Sequence, residues 1–129
     1  MIVAKKVLFI ACALFFQAAT TPKVILFYGD SLTAGYGLSP EEAFPALVEK
    51  KLNKTDKKVK VVNAGLSGET TAGGLSRIDW VLRQPVDIFV LELGGNDGLR
   101  GLPVDQSRKN LQGIIDKVKA KYPDCKIVM

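Results

Sequence analysis

Five consecutive apolar residues, Val24 to Tyr28, run directly into a Gly-Asp-Ser turn. A run without alternating polar residues is typical of a strand in a parallel sheet that helices cover on both faces. Two further strand-like runs follow at residues 59–63 and 87–93, and a fourth begins at Lys126. Helical patterns separate these runs, so the order of elements predicts one α/β domain built on a parallel sheet.

Three segments have the apolar spacing of helices. The first follows residues 39–42, which have capping-box spacing with a proline at the first helical position. Pro45 conflicts with so early a start, because an interior proline removes a helix hydrogen bond. Either the first turn is irregular or this helix begins nearer Glu42. Apolar stripes at residues 75–82 and 111–118 predict the other two helices.

The first nineteen residues have a different character from the rest. Two lysines precede an apolar run from Val7 to Phe16, and small residues follow it. This order is typical of a secretory signal peptide, and ten apolar residues are too few to cross a bilayer as a membrane anchor. We therefore expect a signal peptide at residues 1–19, a domain at residues 20–129, and a secreted or periplasmic bacterial protein without stable membrane insertion.

Charge and cysteine content narrow the choice of partners. Removal of the signal peptide would take away two lysines and lower the net charge from +5 to about +3. Six lysines crowd the segment from Lys50 to Lys60, which is typical of a solvated helix end; attraction to anionic lipid head groups is the alternative. The segment has no aromatic residue, so no nucleic-acid partner is expected. Cys125 would then be the single cysteine, which excludes an intramolecular disulfide and favours an inert buried thiol.

Three glycine-rich loops follow the predicted strands, at residues 29–35, 63–70 and 94–98. The carboxyl ends of parallel strands meet at one edge of the sheet, where such sheets bind their ligands. Taken alone, each loop is typical of an ordinary turn. Three in succession, each directly after a strand, instead indicate a site.

The residue types in these loops suit acyl transfer. Ser31 lies at a tight turn and is the candidate nucleophile. The backbone N–H groups of Ser31 and Gly68 and the side-chain amide of Asn96 are candidate donors to an oxyanion. We expect Asp30 to order the turn through local hydrogen bonds rather than to act on substrate.

Other classes of site lack their sequence patterns. The chain has no phosphate-binding G-x-x-x-x-G-K-[ST] loop and no dinucleotide-binding G-x-G-x-x-G after its first strand. Ser31 also lacks the G-x-S-x-G setting of the α/β-hydrolase nucleophile. With no histidine in the sequence, a zinc site is not expected, and neither a metal nor a cofactor is predicted.

The three loops together resemble the GDSL or SGNH hydrolase family, through GDSL at residues 29–32, NAGLSG at 63–68 and GGND at 94–97. The longer strings NAGLSGETTAGGLSRI and LELGGNDGLRG are similar to its bacterial arylesterase and multifunctional thioesterase–lysophospholipase branch. The resemblance implies a three-layer α/β/α, flavodoxin-like sheet. It also implies a monomer that hydrolyses small acyl esters and thioesters, lysophospholipids included, through an acyl-serine intermediate.

The resemblance assigns roles to individual residues. It implies Ser31 as nucleophile, Gly68 and Asn96 as oxyanion-hole residues, and Gly29 and Asp30 as supporting residues. It further implies a loop that lines the groove for the acyl chain, formed by Gly98, Leu99, Arg100, Gly101, Leu102 and Pro103.

One block of the family pattern has no counterpart in this sequence. The family carries an Asp-x-x-His near its C-terminus, which supplies the catalytic base and the residue that orients it, and these 129 residues contain no histidine. We therefore expect a C-terminally truncated hydrolase domain, without its last strand and helices, that is inactive as given. The alternatives are a non-catalytic domain that binds an acyl or sugar ligand, and a polysaccharide deacetylase.

Overall fold

Four parallel strands form one sheet in the computed structural model, which describes residues 21–129. They are β1 (Lys23–Gly29), β2 (Val59–Asn63), β3 (Ile88–Glu92) and β4 (Lys126–Val128), in the spatial order β2-β1-β3-β4. All pairings are parallel, which confirms the predicted α/β sheet. The predicted signal peptide lies outside the described residues.

Five helices connect the strands within residues 21–129: α1 (Ser31–Ala34), α2 (Phe44–Leu52), α3 (Thr71–Val81), α4 (Gly95–Leu99) and α5 (Val104–Lys121). The three helices predicted from apolar stripes are α2, α3 and α5. The short helices α1 and α4 correct the prediction, because they occupy segments that the sequence indicated to be loops. Four or five residues are too few to show a helical period in sequence. None of these helices has the length and apolar character needed to span a bilayer.

The sheet separates two layers of helices. On one face, β1 and β3 pack against α3 and α5, and the residues buried there include Leu26, Phe89, Ile78, Ile114 and Val118. Each such side chain contributes about 1.5–3 kcal/mol when fully buried. On the other face, the ring of Phe27 meets that of Phe44 in α2 edge-on, with centroids 5.4 Å apart. The predicted three-layer arrangement is therefore present.

Two buried polar residues belong to the α3–α5 face. The Tyr28 hydroxyl donates to the carbonyl of Gly74 in α3 at 2.7 Å, and burial raises its pKa, so the hydroxyl keeps its proton. Cys125 closes one end of the same core. Burial also raises the pKa of its thiol, in agreement with the inert cysteine that the sequence predicts.

The start of α2 resolves the conflict at Pro45. Both the backbone N–H and the hydroxyl of Ser39 donate to the Glu42 carboxylate, at 3.1 and 2.9 Å. Only the first is a capping-box bond, because the Glu42 N–H donates to the Ser39 carbonyl rather than to its hydroxyl. These bonds close a turn rather than the helix, which begins at Phe44 with Pro45 in its first turn. Proline is tolerated there because the first N–H groups of a helix have no partner within it.

A buried carboxylate ties three helices together. Asp97 in α4 accepts hydrogen bonds from the N–H and hydroxyl of Thr71, at 2.8 and 2.6 Å, and from the hydroxyl of Ser107 at 3.0 Å. Asn110 donates in turn to the Thr71 hydroxyl at 3.0 Å. Because Thr71 opens α3 and Ser107 lies in α5, the position of α4 is fixed from two sides.

These hydrogen bonds make the stability pH-dependent. Burial raises the pKa of Asp97, but the bonds from Thr71 and Ser107 outweigh it and hold the pKa below its ordinary value of 3.8. A carboxyl whose pKa is lower in the folded state stabilises the fold above its unfolded pKa. That stabilisation is lost as the pH falls through the unfolded and then the folded pKa.

We expect Asp97→Asn to lower the free energy of unfolding at neutral pH by about 1.5–3 kcal/mol, the range for hydrogen bonds to a charged group. The difference from wild type should shrink as the pH is lowered towards 3, since the wild-type carboxylate is then protonated. Urea unfolding across this pH range measures it. Asp105→Asn, in the exposed first turn of α5, is the matched control and should lose no more than about 1 kcal/mol, since its ion pair with Arg108 is exposed. A pH-independent deficit for Asp97→Asn would contradict the prediction.

Candidate active site

The three glycine-rich loops meet at the carboxyl edge of the sheet. β1 lies between β2 and β3, and its last residues are in register with theirs: Phe27 with Asn63, and Gly29 with Glu92. The chain leaves all three strands at nearly the same height. The loop after β1 carries Ser31, so the candidate nucleophile lies between the other two loops.

The Asp30 side chain starts α1 at Ser31. Its Oδ1 accepts the Leu32 N–H at 3.0 Å, which is the local hydrogen bond expected from the sequence. Asp30 is buried, whereas Ser31 is partly exposed. Within the described part of the chain, neither the hydroxyl nor the N–H of Ser31 makes a hydrogen bond. The Ser31 side chain is therefore free to meet a ligand.

Gly29 allows the turn to close tightly. A Cβ at this position would lie 2.1 Å from Oγ1 of Thr33, whose hydroxyl donates to Glu92 at 2.9 Å. That hydrogen bond joins α1 to the end of β3. The supporting role predicted for Gly29 thus has a steric basis, while the Thr33–Glu92 contact has no signal in the sequence.

The second loop lies against the backbone of the first. The Asn63 side chain donates to the Thr33 carbonyl at 2.8 Å, and the Leu66 N–H donates to the Gly29 carbonyl at 2.9 Å. A Cβ on Gly65 would lie 2.2 Å from the backbone nitrogen of Ala34. Only glycine permits so close an approach, which fixes the spacing between the two loops.

An ion pair braces the same loop from below. Arg77 of α3 pairs with the buried carboxylate of Glu69 and donates to the Ala64 carbonyl at 3.0 Å. Its guanidinium also stacks over the Tyr28 ring, 4.5 Å from the centroid. Burial lowers the pKa of Arg77, but Glu69 and the neighbouring Tyr28 together raise it more, so the cation persists. The loop is thereby held at both ends.

Gly68 presents its peptide group at the rim. Its φ of +80° is the left-handed conformation that favours glycine. Within residues 21–129 its N–H donates no hydrogen bond, while its carbonyl accepts one from Arg100 at 3.0 Å. The candidate donor Gly68 is therefore unoccupied, and Arg100 connects it to the loop at residues 98–103.

The side-chain amide of Asn96 links all three loops. It donates to Oδ2 of Asp30 at 3.2 Å and to the carbonyl of Glu69 at 3.0 Å. Asp30 directly precedes Ser31, and Glu69 directly follows Gly68. The three residues selected from sequence are thus brought together. Both N–H bonds of the amide are already directed at protein acceptors, so an oxyanion would have to share or replace the longer contact, to Asp30.

Exposed apolar side chains surround this site. Leu99 of the predicted groove is 87% exposed, and Leu102 is exposed as well. Leu32 and Leu66 are also exposed on the first two loops. Leu32 and Leu66 were not predicted as site residues. A leucine within an otherwise small and polar loop is the sequence signal that would have identified them. Together the four leucines give the rim an apolar border.

Comparison with known proteins identifies the family to which the sequence is similar. Residues 27–129 match the sequence model of the GDSL-like Lipase/Acylhydrolase family. The chain is 45% identical over 114 residues to "Thioesterase 1/protease 1/lysophospholipase L1" of Escherichia coli (strain K12), covering 88% of this chain and 52% of that protein. It is 41% identical over 106 residues to "Esterase TesA" of Pseudomonas aeruginosa, covering 81% and 52%. The chain spans about half the length of these relatives.

A solved structure has a similar fold. The fold is similar to that of AlinE4, an SGNH-hydrolase family esterase, with a TM-score of 0.76 and 44% identity. The similarity covers 81% of this chain and 57% of that one. The described strands and helices therefore form part of an SGNH-type α/β fold.

The Asp30–Asn96 contact should be measurable as a coupling energy. We expect Asp30→Ala and Asn96→Ala each to destabilise the fold, and the double variant to lose about 1–2 kcal/mol less than the sum, because either substitution removes the shared hydrogen bond. Urea unfolding of the four proteins measures this. Asp56→Ala, at the opposite end of the sheet, replaces Asp30→Ala in the control cycle and should show additivity. Additivity in both cycles would refute the contact.

Gly65 and Gly98 should respond oppositely to alanine. Gly65→Ala places a methyl group against the Ala34 backbone and should cost roughly 1–3 kcal/mol of unfolding free energy. Gly98 has free space where its Cβ would lie and is helical, so Gly98→Ala should be neutral or slightly stabilising. Chemical denaturation of the two variants compares them. An unperturbed Gly65→Ala protein would mean that the loops are not in backbone contact.

Proposed function

The chain belongs to the GDSL-like Lipase/Acylhydrolase family, and on that premise we propose that it carries the nucleophile and oxyanion site of a serine hydrolase for acyl esters and thioesters. The observation that carries the proposal is the Asn96 amide, which bonds to the neighbours of both Ser31 and Gly68. The Asn96 side chain thereby helps to position the Ser31 hydroxyl relative to the other two candidate donors, the N–H groups of Ser31 and Gly68.

The proposed reaction has two steps. Ser31 Oγ gives its proton to a base and attacks the acyl carbonyl. The protonated base then gives that proton to the departing alcohol or thiol, which leaves an acyl-Ser31. The tetrahedral oxyanion accepts from the N–H groups of Ser31 and Gly68 and from the Asn96 amide. A single donor of this kind typically contributes about 2.7–4 kcal/mol to transition-state stabilisation. In the second step the base takes a proton from water, and the water oxygen attacks the acyl carbon. The base then returns the proton to Ser31 Oγ as the carboxylic acid leaves.

The base is the part of this reaction that the sequence does not provide. The family resemblance implies a histidine positioned by an aspartate, and no histidine occurs among the 129 residues. A serine hydroxyl without a general base is a weak nucleophile at neutral pH. We accordingly propose that the 129-residue chain by itself is inactive.

The substrate class rests on the rim and on the relatives. Relatives are named thioesterase, lysophospholipase and arylesterase, and the exposed Leu99 and Leu102 beside the site suit an acyl chain. We propose acyl esters and thioesters, with lysophospholipids among them, as substrates of a monomeric enzyme. A secreted or periplasmic location is proposed from the signal-like pattern of residues 1–19 alone.

A chimera tests the nucleophile without requiring a base from this chain. Residues 21–129 would be joined to the part of the Escherichia coli relative that the chain does not span. We expect the chimera to hydrolyse a p-nitrophenyl acyl ester, the 129-residue chain to show no detectable turnover, and Ser31→Ala in the chimera to lower kcat by on the order of 10³-fold or more. Release of p-nitrophenol measures all three.

Folding has to be separated from chemistry in this experiment. Ser39→Ala removes a hydroxyl from the exposed turn before α2, where it bonds only to Glu42, and is the matched control; it should retain full turnover. Circular dichroism and urea unfolding check that both variants fold. Turnover that survives Ser31→Ala would exclude Ser31 as nucleophile, and normal turnover by the 129-residue chain would refute the missing-base argument.

A further inference from the structure

The amino end of the sheet, opposite the candidate active site, is strongly basic. Six exposed lysines come from the last turn of α2, the α2–β2 loop and β2: Lys50, Lys51, Lys54, Lys57, Lys58 and Lys60. Lys23 and Lys126, which open β1 and β4, are exposed as well. We call the surface formed by these eight lysines the basic end. They converge from four elements of the fold, so the clustering goes beyond a run in the sequence.

The α2–β2 loop is held in a defined shape. The Asn53 side chain bonds to both the N–H and the carbonyl of Val59, at 2.9 and 3.0 Å. Thr55 donates to the Leu52 carbonyl at 2.6 Å and accepts the Lys57 N–H at 3.2 Å. Its lysines are thus presented by an ordered backbone, which reduces the entropy lost when they meet a partner.

The lysines of the basic end are not neutralised by ion pairs. The ion pairs among residues 21–129 are Arg77–Glu69, Arg108–Asp105 and Lys117–Asp79, and none includes them. Four carboxylates lie near the basic end: Glu49, Asp56, Asp87 and Asp124. Glu49 and Asp87 are turned inward, since they accept the N–H groups of Val61 and Val24. Eight lysines against four carboxylates leave this end with a positive excess.

An open groove of about 680 Å³ crosses the basic end. Lys23, Lys57, Lys58 and Lys126 line it together with Asp56, Asp87 and Asp124. The apolar side chains in its lining are Ile25, Leu52, Val59 and Ile88. Four lysines against three aspartates make the groove itself only slightly positive, so most of the positive excess of the basic end lies on the lysines outside it, where anionic head groups could meet them.

We propose that the basic end docks this protein on an anionic phospholipid bilayer. Lysines near such a surface each strengthen binding about fivefold, and the attraction decays within a Debye length of about 8 Å at physiological salt. The ammonium groups are point charges without interleaved aromatic rings, which suits head groups better than stacked bases. Docking by the amino end leaves the carboxyl edge, with Ser31, facing away from the bilayer. The proposal does not depend on hydrolase activity.

Vesicle sedimentation of the 129-residue chain tests the proposal. The probes are vesicles of phosphatidylcholine alone and of phosphatidylcholine mixed with phosphatidylglycerol. We expect binding that requires phosphatidylglycerol and weakens with added salt. Lys57→Gln/Lys58→Gln should weaken partitioning on the order of twentyfold, since two of the contributing lysines are lost.

The matched control is Arg108→Gln/Lys109→Gln, another adjacent and exposed basic pair, on α5. It removes the same charge and should change binding little; urea unfolding verifies that both double variants fold. Equal loss in the two variants would overturn the proposal, because net charge alone would then explain binding. Unchanged binding by Lys57→Gln/Lys58→Gln, or binding without phosphatidylglycerol, would overturn it too, and would point to the apolar residues 7–16. Tighter binding to duplex DNA than to vesicles would replace the bilayer with a nucleic acid.

Discussion

The position of β1 at the centre of the sheet sets the geometry of everything at its carboxyl edge. β1 pairs with β2 on one side and β3 on the other, and its residues Ile25 to Gly29 are buried. Burial on both faces explains its unbroken apolar sequence. It also means that the chain can leave β1 only between the two neighbouring loops. The Ser31 turn therefore lies between the loops that follow β2 and β3 as a direct result of the strand order.

Two adjacent residues in α4 divide the work of positioning. The Asp97 carboxylate is turned into the protein, where Thr71 and Ser107 hold it between α3 and α5. The Asn96 amide is turned towards the first and second loops. Asn96 and Asp97 lie in the same turn of α4. The way α3 and α5 pack around Asp97 therefore also sets the position of the Asn96 amide. A change in the packing of α3 against α5 would therefore shift the Asn96 amide at the candidate oxyanion site.

The sequence was sufficient to predict the strands and the longer helices, and insufficient to predict their contacts. Apolar runs predicted the four strands, helical spacing predicted α2, α3 and α5, and the rule for parallel sheets placed Ser31, Gly68 and Asn96 at one edge. The Asn96–Asp30 bond joins residues 66 positions apart, and the approach of Gly65 to Ala34 depends on where two strands end. A single sequence holds no information on such pairs. The helices α1 and α4 were missed for a different reason, since one turn is too short to show a period.

The absent side chain at Gly65 has a consequence for how such a site can vary. At Gly65 the first and second loops touch through main-chain atoms, so the spacing between the candidate nucleophile and the candidate donor Gly68 depends on this backbone contact as well as on the Asn63 and Asn96 side chains. A side chain at residue 65 would force these two loops apart. The exposed side chains of Leu99 and Leu102 take no part in this contact, so substitutions there leave the spacing unchanged. The backbone contact that sets the spacing of the loops and the apolar border of the candidate site are therefore separate parts of the molecule.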